Sequence, residues 1–174
     1  WPPSKPLGQW FERVWFAPFE RWDTIYYMRI VTRGYAAHDG TAQFHPLFPW
    51  IAQGLARMNV PALIALALVG FTSSLALIGV LYLWARLDLG PKRASLTVLL
   101  FITSPFAFIL IIPYSEPLFL LMTGLCFLFL RGKLWVLAGL FGALTTLTRQ
   151  QGLLLVLPVG VALGMAYNWK WREL

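Results

Sequence analysis

The chain has 174 residues, 59% of them hydrophobic and 12% charged, with a net charge of +7 and a mean hydropathy of +0.67. A soluble domain carries about 25% charged residues, so half that amount, with the apolar residues gathered in long blocks, excludes an ordinary soluble domain and points to an integral membrane protein. The Lys and Arg residues fall in ones and twos between apolar blocks, a pattern that sets membrane topology and does not read as a nucleic-acid surface.

The opening Trp1-Pro2-Pro3-Ser4-Lys5-Pro6 lacks the apolar core of a signal peptide, and the chain is expected to be an internal piece of a longer multi-span protein. Residues 1–60 hold prolines and aromatics but no run long enough to span, and read as interfacial helices and a loop on an outer face. From Pro18 to Arg33 a helix is expected, with Trp22, Ile25, Tyr26 and Ile30 on its apolar face, Asp23, Arg29 and Arg33 on the exposed one, and Gly34 as its stop. Pro46 and Pro49 predict a bent loop feeding the first membrane helix.

Residues 61–174 then read as a transmembrane bundle of about five spans: Pro61 to Ala85, roughly 37 Å long at 1.5 Å per residue, Ala94 to Ile112, Leu118 to Leu130, Leu134 to Leu147 and Leu153 to Tyr167. The third and fourth are shorter than the roughly 20 residues a span needs. Alternation puts the segments 86–93, 131–133 and 168–174 on one face with seven Lys/Arg residues, and the turns 113–117 and 148–152 on the other with one, Arg149. The positive-inside rule makes the first face cytoplasmic. Residues 1–60, Glu116 and Arg149 thereby meet on the outer face. The fold class expected is all-α, a polytopic membrane helical bundle with an outer-face loop of interfacial helices.

Each polar candidate has two readings. Asp23, among Trp22, Tyr26 and Tyr27, suits a general base acting on a sugar hydroxyl, or the cap of the helix that follows. Glu116, between Pro113 and Pro117, suits a substrate contact or an acid at a helix N-terminus. Arg149, beside Gln150 and Gln151, suits a phosphate clamp or a side chain snorkelling to the interface. His38, Asp39 and His45 match no metal-ligand spacing and favour a loop hydrogen-bonding role. Cys126 lies alone in an apolar block and offers no disulfide or thiol metal site.

Trp22-Asp23, the spacing to Gly34-Tyr35, Phe44-His45-Pro46-Leu47-Phe48-Pro49, Tyr114-Ser115-Glu116-Pro117-Leu118-Phe119 and Thr148-Arg149-Gln150-Gln151-Gly152 follow one another in an order that resembles the PIG-V-type mannosyltransferases. The resemblance covers nearly the whole chain. It implies a partial GT-C fold and inverting transfer of a hexose, mannose by analogy, from a polyprenyl-phosphate sugar to a lipid or glycan acceptor on the non-cytoplasmic face. The family's eukaryotic members build the GPI anchor. On this resemblance Asp23 is the catalytic acid residue that takes the acceptor's proton, and Glu116, Arg149, Gln150, Tyr27, His45, His38 and Asp39 are the candidate substrate-binding set. His45 departs from the Phe or Tyr common at its place, and His38-Asp39 from a frequent Glu region.

No metal and no cofactor is expected, the lipid-phosphate sugar being a substrate. The partners expected are the bilayer, the lipid-linked donor and the acceptor. The membrane would be a bacterial plasma membrane, or the endoplasmic reticulum in a eukaryote, and the 174 residues alone would be inactive. The alternative is a transporter or flippase fragment, whose charges would lie near the midplane. A non-catalytic scaffold is the third reading.

Overall fold

Hydrophobic blocks this long form helices because every backbone N–H and C=O is then satisfied within its own segment. The structure, a computed structural model, describes residues 22–167. It is all-helical, with no strand among the described residues. The α-helices are α1 (Asp23–Arg33), α2 (Leu47–Ala56), α3 (Ala62–Ile102), α4 (Glu116–Arg131), α5 (Trp135–Thr148) and α6 (Val156–Ala166). Short 3-10 turns occupy Thr41–Gln43, Ala107–Leu110 and Gln150–Leu155. Residues 1–21 and 168–174, which include the start of the helix expected from Pro18 and the basic tail, lie outside the described residues.

Helix α1 ends where expected, at Gly34, whose N–H makes the last bond of the helix to the carbonyl of Ile30 and whose φ of 81° turns the chain out of it. Ile30 is buried and Arg29 and Arg33 are exposed as expected, but the rest of the buried face differs. Thr24, Tyr27, Ile30 and Val31 turn inward, while Trp22 precedes the helix at φ 58° and is 78% exposed. Placing Trp22 outside the helical register rotates the apolar stripe onto Tyr27. The bent loop expected at Pro46 and Pro49 is also corrected, because the two prolines open a helix. Pro46 is the N-cap residue of α2 and Pro49 lies in its first turn, where a missing N–H forfeits no intrahelical bond.

The loop expected at residues 86–93 is a single break inside α3. Gly90 at φ 75°, ψ 170°, followed by Pro91, interrupts an otherwise helical run. The chain then doubles back along itself. Phe101 packs with Leu77 and Val80, the Ser74 hydroxyl donates to the Leu110 carbonyl at 2.7 Å, and Ile112 passes over Gly70. The returning limb is helical only to Ile102, short of the expected Ile112, because Pro105 withholds a donor and restrains Ser104 before it.

Helix α4 descends beside α3, with Gly124 against Val80, Trp84 stacked on Phe127, and Arg131 paired with Asp88. Helix α5 returns, packing Ala138 on Cys126 and Phe141 on Phe129. Helix α6 runs down again, with Val159 and Ala162 against the same cluster. One core, built from Tyr27, Ile30, Phe48, Ala52, Leu66, Val69 and Leu118, joins α1 and α2 to α3 and α4. The residue-60 boundary therefore does not separate two cores.

This path has two ends. One gathers the start of α1, the segment before α2, the start of α4 and the end of α5, and the other gathers the Gly90 break and the Arg131–Lys133 turn. Among the described residues α3 is the one helix long and apolar enough to cross a membrane by length and composition. The helices α2 and α5, and the Gln150–Ala166 stretch, are apolar but shorter.

Candidate active site

Asp23 is the first residue of α1 and complements the positive end of that helix, but no side chain caps the helix. Its carboxylate makes no hydrogen bond among the described residues, so the capping interaction that would compete with a chemical role is absent from this position. One turn later comes Tyr27, which is 4% exposed. Its ring meets Phe44 and Phe48 edge-on, with centroids 5.0 and 4.9 Å away, and this packing fixes where the phenol points. The hydroxyl donates to Ser115 Oγ at 2.8 Å.

The loop from α1 to α2 folds on itself. Asp39 Oδ1 accepts from the backbone N–H and the hydroxyl of Thr41 at 2.9 and 2.6 Å, with Gly40 left-handed at φ 81° between them. The Tyr35 hydroxyl donates to the Phe44 carbonyl at 3.1 Å. Tyr26 stacks on Phe44 at 5.1 Å, and the Arg29 guanidinium lies over the Tyr26 ring, 5.5 Å from its centroid. These contacts hold Gln43, Phe44 and His45 beside Asp23 and Tyr27.

Arg149 arrives from the opposite direction. It leaves α5 in an extended conformation, φ −155° and ψ 146°, and the following turn folds back onto the helix it has just left. Gly152 makes that fold possible, because a Cβ there would lie 2.6 Å from the Thr145 carbonyl carbon and closer still to Thr146 N. The turn is closed by Gly152 N–H donating to the Arg149 carbonyl at 3.0 Å. The guanidinium thereby reaches Glu116 Oε1 at 2.5 Å and Ser115 Oγ at 3.5 Å.

Asp23, Tyr27, Ala42, Gln43, Phe44, His45, Ser115, Thr148, Arg149, Gln150 and Gln151 enclose a polar cavity of about 530 Å³. Of the residues singled out in the sequence, Asp23, Tyr27, His45, Arg149 and Gln150 line it, and Glu116 joins through Arg149. His38 and Asp39 do not line it. His38 sits at φ 68° on the exposed side of its loop, and Asp39 is occupied by Thr41. Ser115, Thr148 and Gln43 line the cavity without having been singled out. The signal for the first two was adjacency, since each hydroxyl sits one position before a charged candidate.

The electrostatics of the cavity follow from this crowding. Burial, then the Glu116 carboxylate, push Asp23 above the ordinary carboxylate range, and Arg149 pulls it part of the way back. Burial pushes Tyr27 up to about 12, with Ser115 opposing the shift. Tyr114 is raised by burial and by the Asp23 and Glu116 charges. Asp39, at the edge of its loop, is instead lowered by the Thr41 donors. Among the described residues no group of three or more His, Cys, Asp and Glu side chains is arranged to hold a metal ion. The cavity thus sets a carboxylate with an elevated pKa near a fixed cation and a pair of hydroxyls, an arrangement able to take a proton on one side and stabilise an anion on the other.

A model of the mannosyltransferase (PIG-V) family matches residues 3–168. The chain belongs to that family. The ordered motifs that resembled PIG-V enzymes are thereby borne out, and the protein is a glycosyltransferase of mannose. No curated protein and no solved structure matches the chain. PIG-V enzymes are membrane enzymes, in keeping with the one described helix able to cross a bilayer. In this mannosyltransferase the motif residues Asp23, Ser115, Glu116 and Arg149, drawn from three well-separated motifs, stand at one end of the helical bundle.

Proposed function

We propose that the protein transfers mannose from a polyprenyl-phosphate carrier to a hydroxyl of a lipid or glycan acceptor, with inversion, on the non-cytoplasmic face of a multi-pass GT-C bundle. The observation that carries this reading is the convergence of Asp23 and Arg149 on one polar cavity, at the end of the molecule away from Arg86, Lys92, Arg93, Arg131 and Lys133. With those basic residues on the cytoplasmic side, the cavity faces outward. The membrane is the bacterial plasma membrane, or the endoplasmic reticulum membrane in a eukaryotic cell.

Leu99, Leu100, Phe106, Val136, Leu140, Leu154 and Leu157 are all more than half exposed. So much outward apolar surface is foreign to a water-facing monomer and suits lipid or further spans. The charged residues that line the cavity stand at a helix end, which favours a transferase over a transporter with charges at the midplane.

In the transfer, the acceptor oxygen forms a bond to the anomeric carbon of mannose while the bond from that carbon to the phosphate oxygen breaks. The acceptor's proton goes to Asp23, and the electron pair of the broken bond leaves with the polyprenyl phosphate. Arg149 neutralises the charge that grows there. Glu116 holds the guanidinium in place, and His45 and Gln150 border the space left for sugar and acceptor hydroxyls.

Membranes carrying the full-length protein are expected to transfer radiolabel from polyprenyl-phosphate mannose, and Asp23→Asn to reduce the rate about 10²- to 10⁴-fold, the range for a positioned general base. Undiminished transfer by Asp23→Asn would remove this residue from the mechanism.

A further inference from the structure

The hydrogens of the Tyr27–Ser115 contact do not balance. Two hydroxyls bring two protons, and the bond between them consumes one, written in the structure as Tyr27 O–H donating to Ser115 Oγ at 2.8 Å. Arg149 adds an N–H toward the same oxygen at 3.5 Å and accepts nothing. One hydroxyl proton is left without an acceptor among the described residues.

The buried Thr24 Oγ1 also has no partner among the described residues, but it does not line the cavity. Thr145 and Thr148, exposed by 0% and 1%, return their protons to the carbonyls of Phe141 and Leu144 in their own helix. Ser115 stands one residue ahead of α4 and has no preceding helical turn to bond to. It is 1% exposed, yet it lines the polar cavity together with Tyr27 and Arg149. A buried donor aimed at a cavity costs free energy until something accepts its proton. With Tyr27 held at about 12, the pair keeps both protons throughout the neutral range.

The group that fits is an oxyanion. Two donors of different kinds, a guanidinium and a hydroxyl, converge from α4 and the end of α5 on the same corner of the cavity, and Glu116 already satisfies one edge of the guanidinium. We propose that the Tyr27–Ser115 hydroxyl pair is a second donor to the phosphate that leaves with the lipid, and that Ser115 is the residue presenting it beside Arg149. This rests on the donor being a polyprenyl-phosphate sugar. No covalent bond of the pair changes. The surplus O–H donates a hydrogen bond that strengthens as the phosphate takes the electron pair of the broken glycosyl bond, and so contributes more in the transition state than with substrate bound.

The test uses the full-length protein in its membrane and reads two quantities: the turnover for mannosyl transfer from polyprenyl-phosphate mannose, and the inhibition constant of polyprenyl phosphate, the released product. Ser115→Ala should lower turnover per folded enzyme and weaken product inhibition, each by about tenfold or more, the effect of one hydrogen bond to a charged group, and leave the acceptor KM unchanged. Ser115→Cys, close in volume and a weak donor, should lose as much, which separates a missing donor from a packing defect. Ser115→Thr should restore most of both quantities.

Wild-type turnover and inhibition in both the alanine and the cysteine variants would overturn the assignment and leave the proposed donor standing. A turnover loss with the inhibition constant unmoved and the acceptor KM raised would also overturn it. A wild-type enzyme that neither transfers from polyprenyl-phosphate mannose nor is inhibited by polyprenyl phosphate would overturn the proposed donor itself, and this assignment with it.

Discussion

Helix α4 carries an ion pair at each end, and the two differ in everything but their chemistry. At its C-terminus Arg131 reaches Asp88 of α3 at 2.6 Å, with side chains 45% and 53% exposed. At its N-terminus Glu116 receives Arg149 at 2.5 Å, with side chains 26% and 30% exposed. The first pair clips two turns together in the open. The second is surrounded by a hydroxyl pair, a second carboxylate and a polar cavity. Screening by solvent leaves an exposed pair worth little, whereas a half-buried cation that borders a cavity has field to spend on a ligand. On the proposed function, the end of the molecule, and not the pairing itself, separates a fastener from a working group.

Replacing each arginine by alanine tests that contrast most severely. Arg149→Ala should reduce mannosyl transfer about 10²- to 10³-fold, the cost of losing a fixed donor to developing negative charge. Arg131→Ala should leave transfer within a few-fold of wild type in the same membranes. Equal losses would erase the distinction between the two ends.

The next largest effect is on pH dependence. A carboxylate acting as base works only when ionised, and Asp23 is held above its ordinary range by burial and by Glu116, so activity should fall on the acid side at a pH above that range. Glu116→Gln removes one raising influence and leaves the Arg149 charge in place. The acid limb of transfer should therefore move to lower pH, a direction opposite to that of Arg149→Ala, which removes a lowering influence. For stability the sign is reversed. Folding favours the protonated Asp23, so this group's contribution is full below the ordinary carboxylate pKa and is lost as pH rises through the elevated one. Rate profiles of the two variants that shift the same way would contradict this account of the cavity's electrostatics.

What was legible in the chain follows the same division between local and long-range causes. Alternating apolar blocks and the placement of Lys and Arg were enough to bring Asp23, Glu116 and Arg149 to one end, since antiparallel neighbours leave little choice of side. The helix at Leu47–Ala56 was missed because prolines read as breakers, although Pro46 and Pro49 fall where an intrahelical donor is not required. The loop expected around residue 90 shrank to one glycine, because charge marks the end of an apolar block and does not mark the end of a helix. His38 and Asp39 joined the candidate set through the family resemblance, whereas the reading of the residues themselves, a loop hydrogen-bonding role, is the one Asp39 fulfils with Thr41. Ser115 was hidden for a different reason. Its partners come from α1 and from beyond α5, and a serine before a helix is ordinarily a cap; here no cap bond forms.

The smallest expected effect belongs to the fastener. Asp88→Asn keeps the shape of the side chain and removes its charge, so Arg131 loses an ionic partner while retaining a polar one. With both groups about half exposed, the loss should be at most about 1 kcal/mol, roughly 2–4 °C in the thermal midpoint of a chain of this size. It should shrink further in high salt, because screening already weakens the wild-type pair. Transfer should be unchanged, since the pair stands at the far end of α4 from the cavity. A larger shift that persists in high salt would mean that the Gly90 reversal depends on this contact to dock α3 against α4, and the open end would then be as demanding of its ion pair as the cavity is.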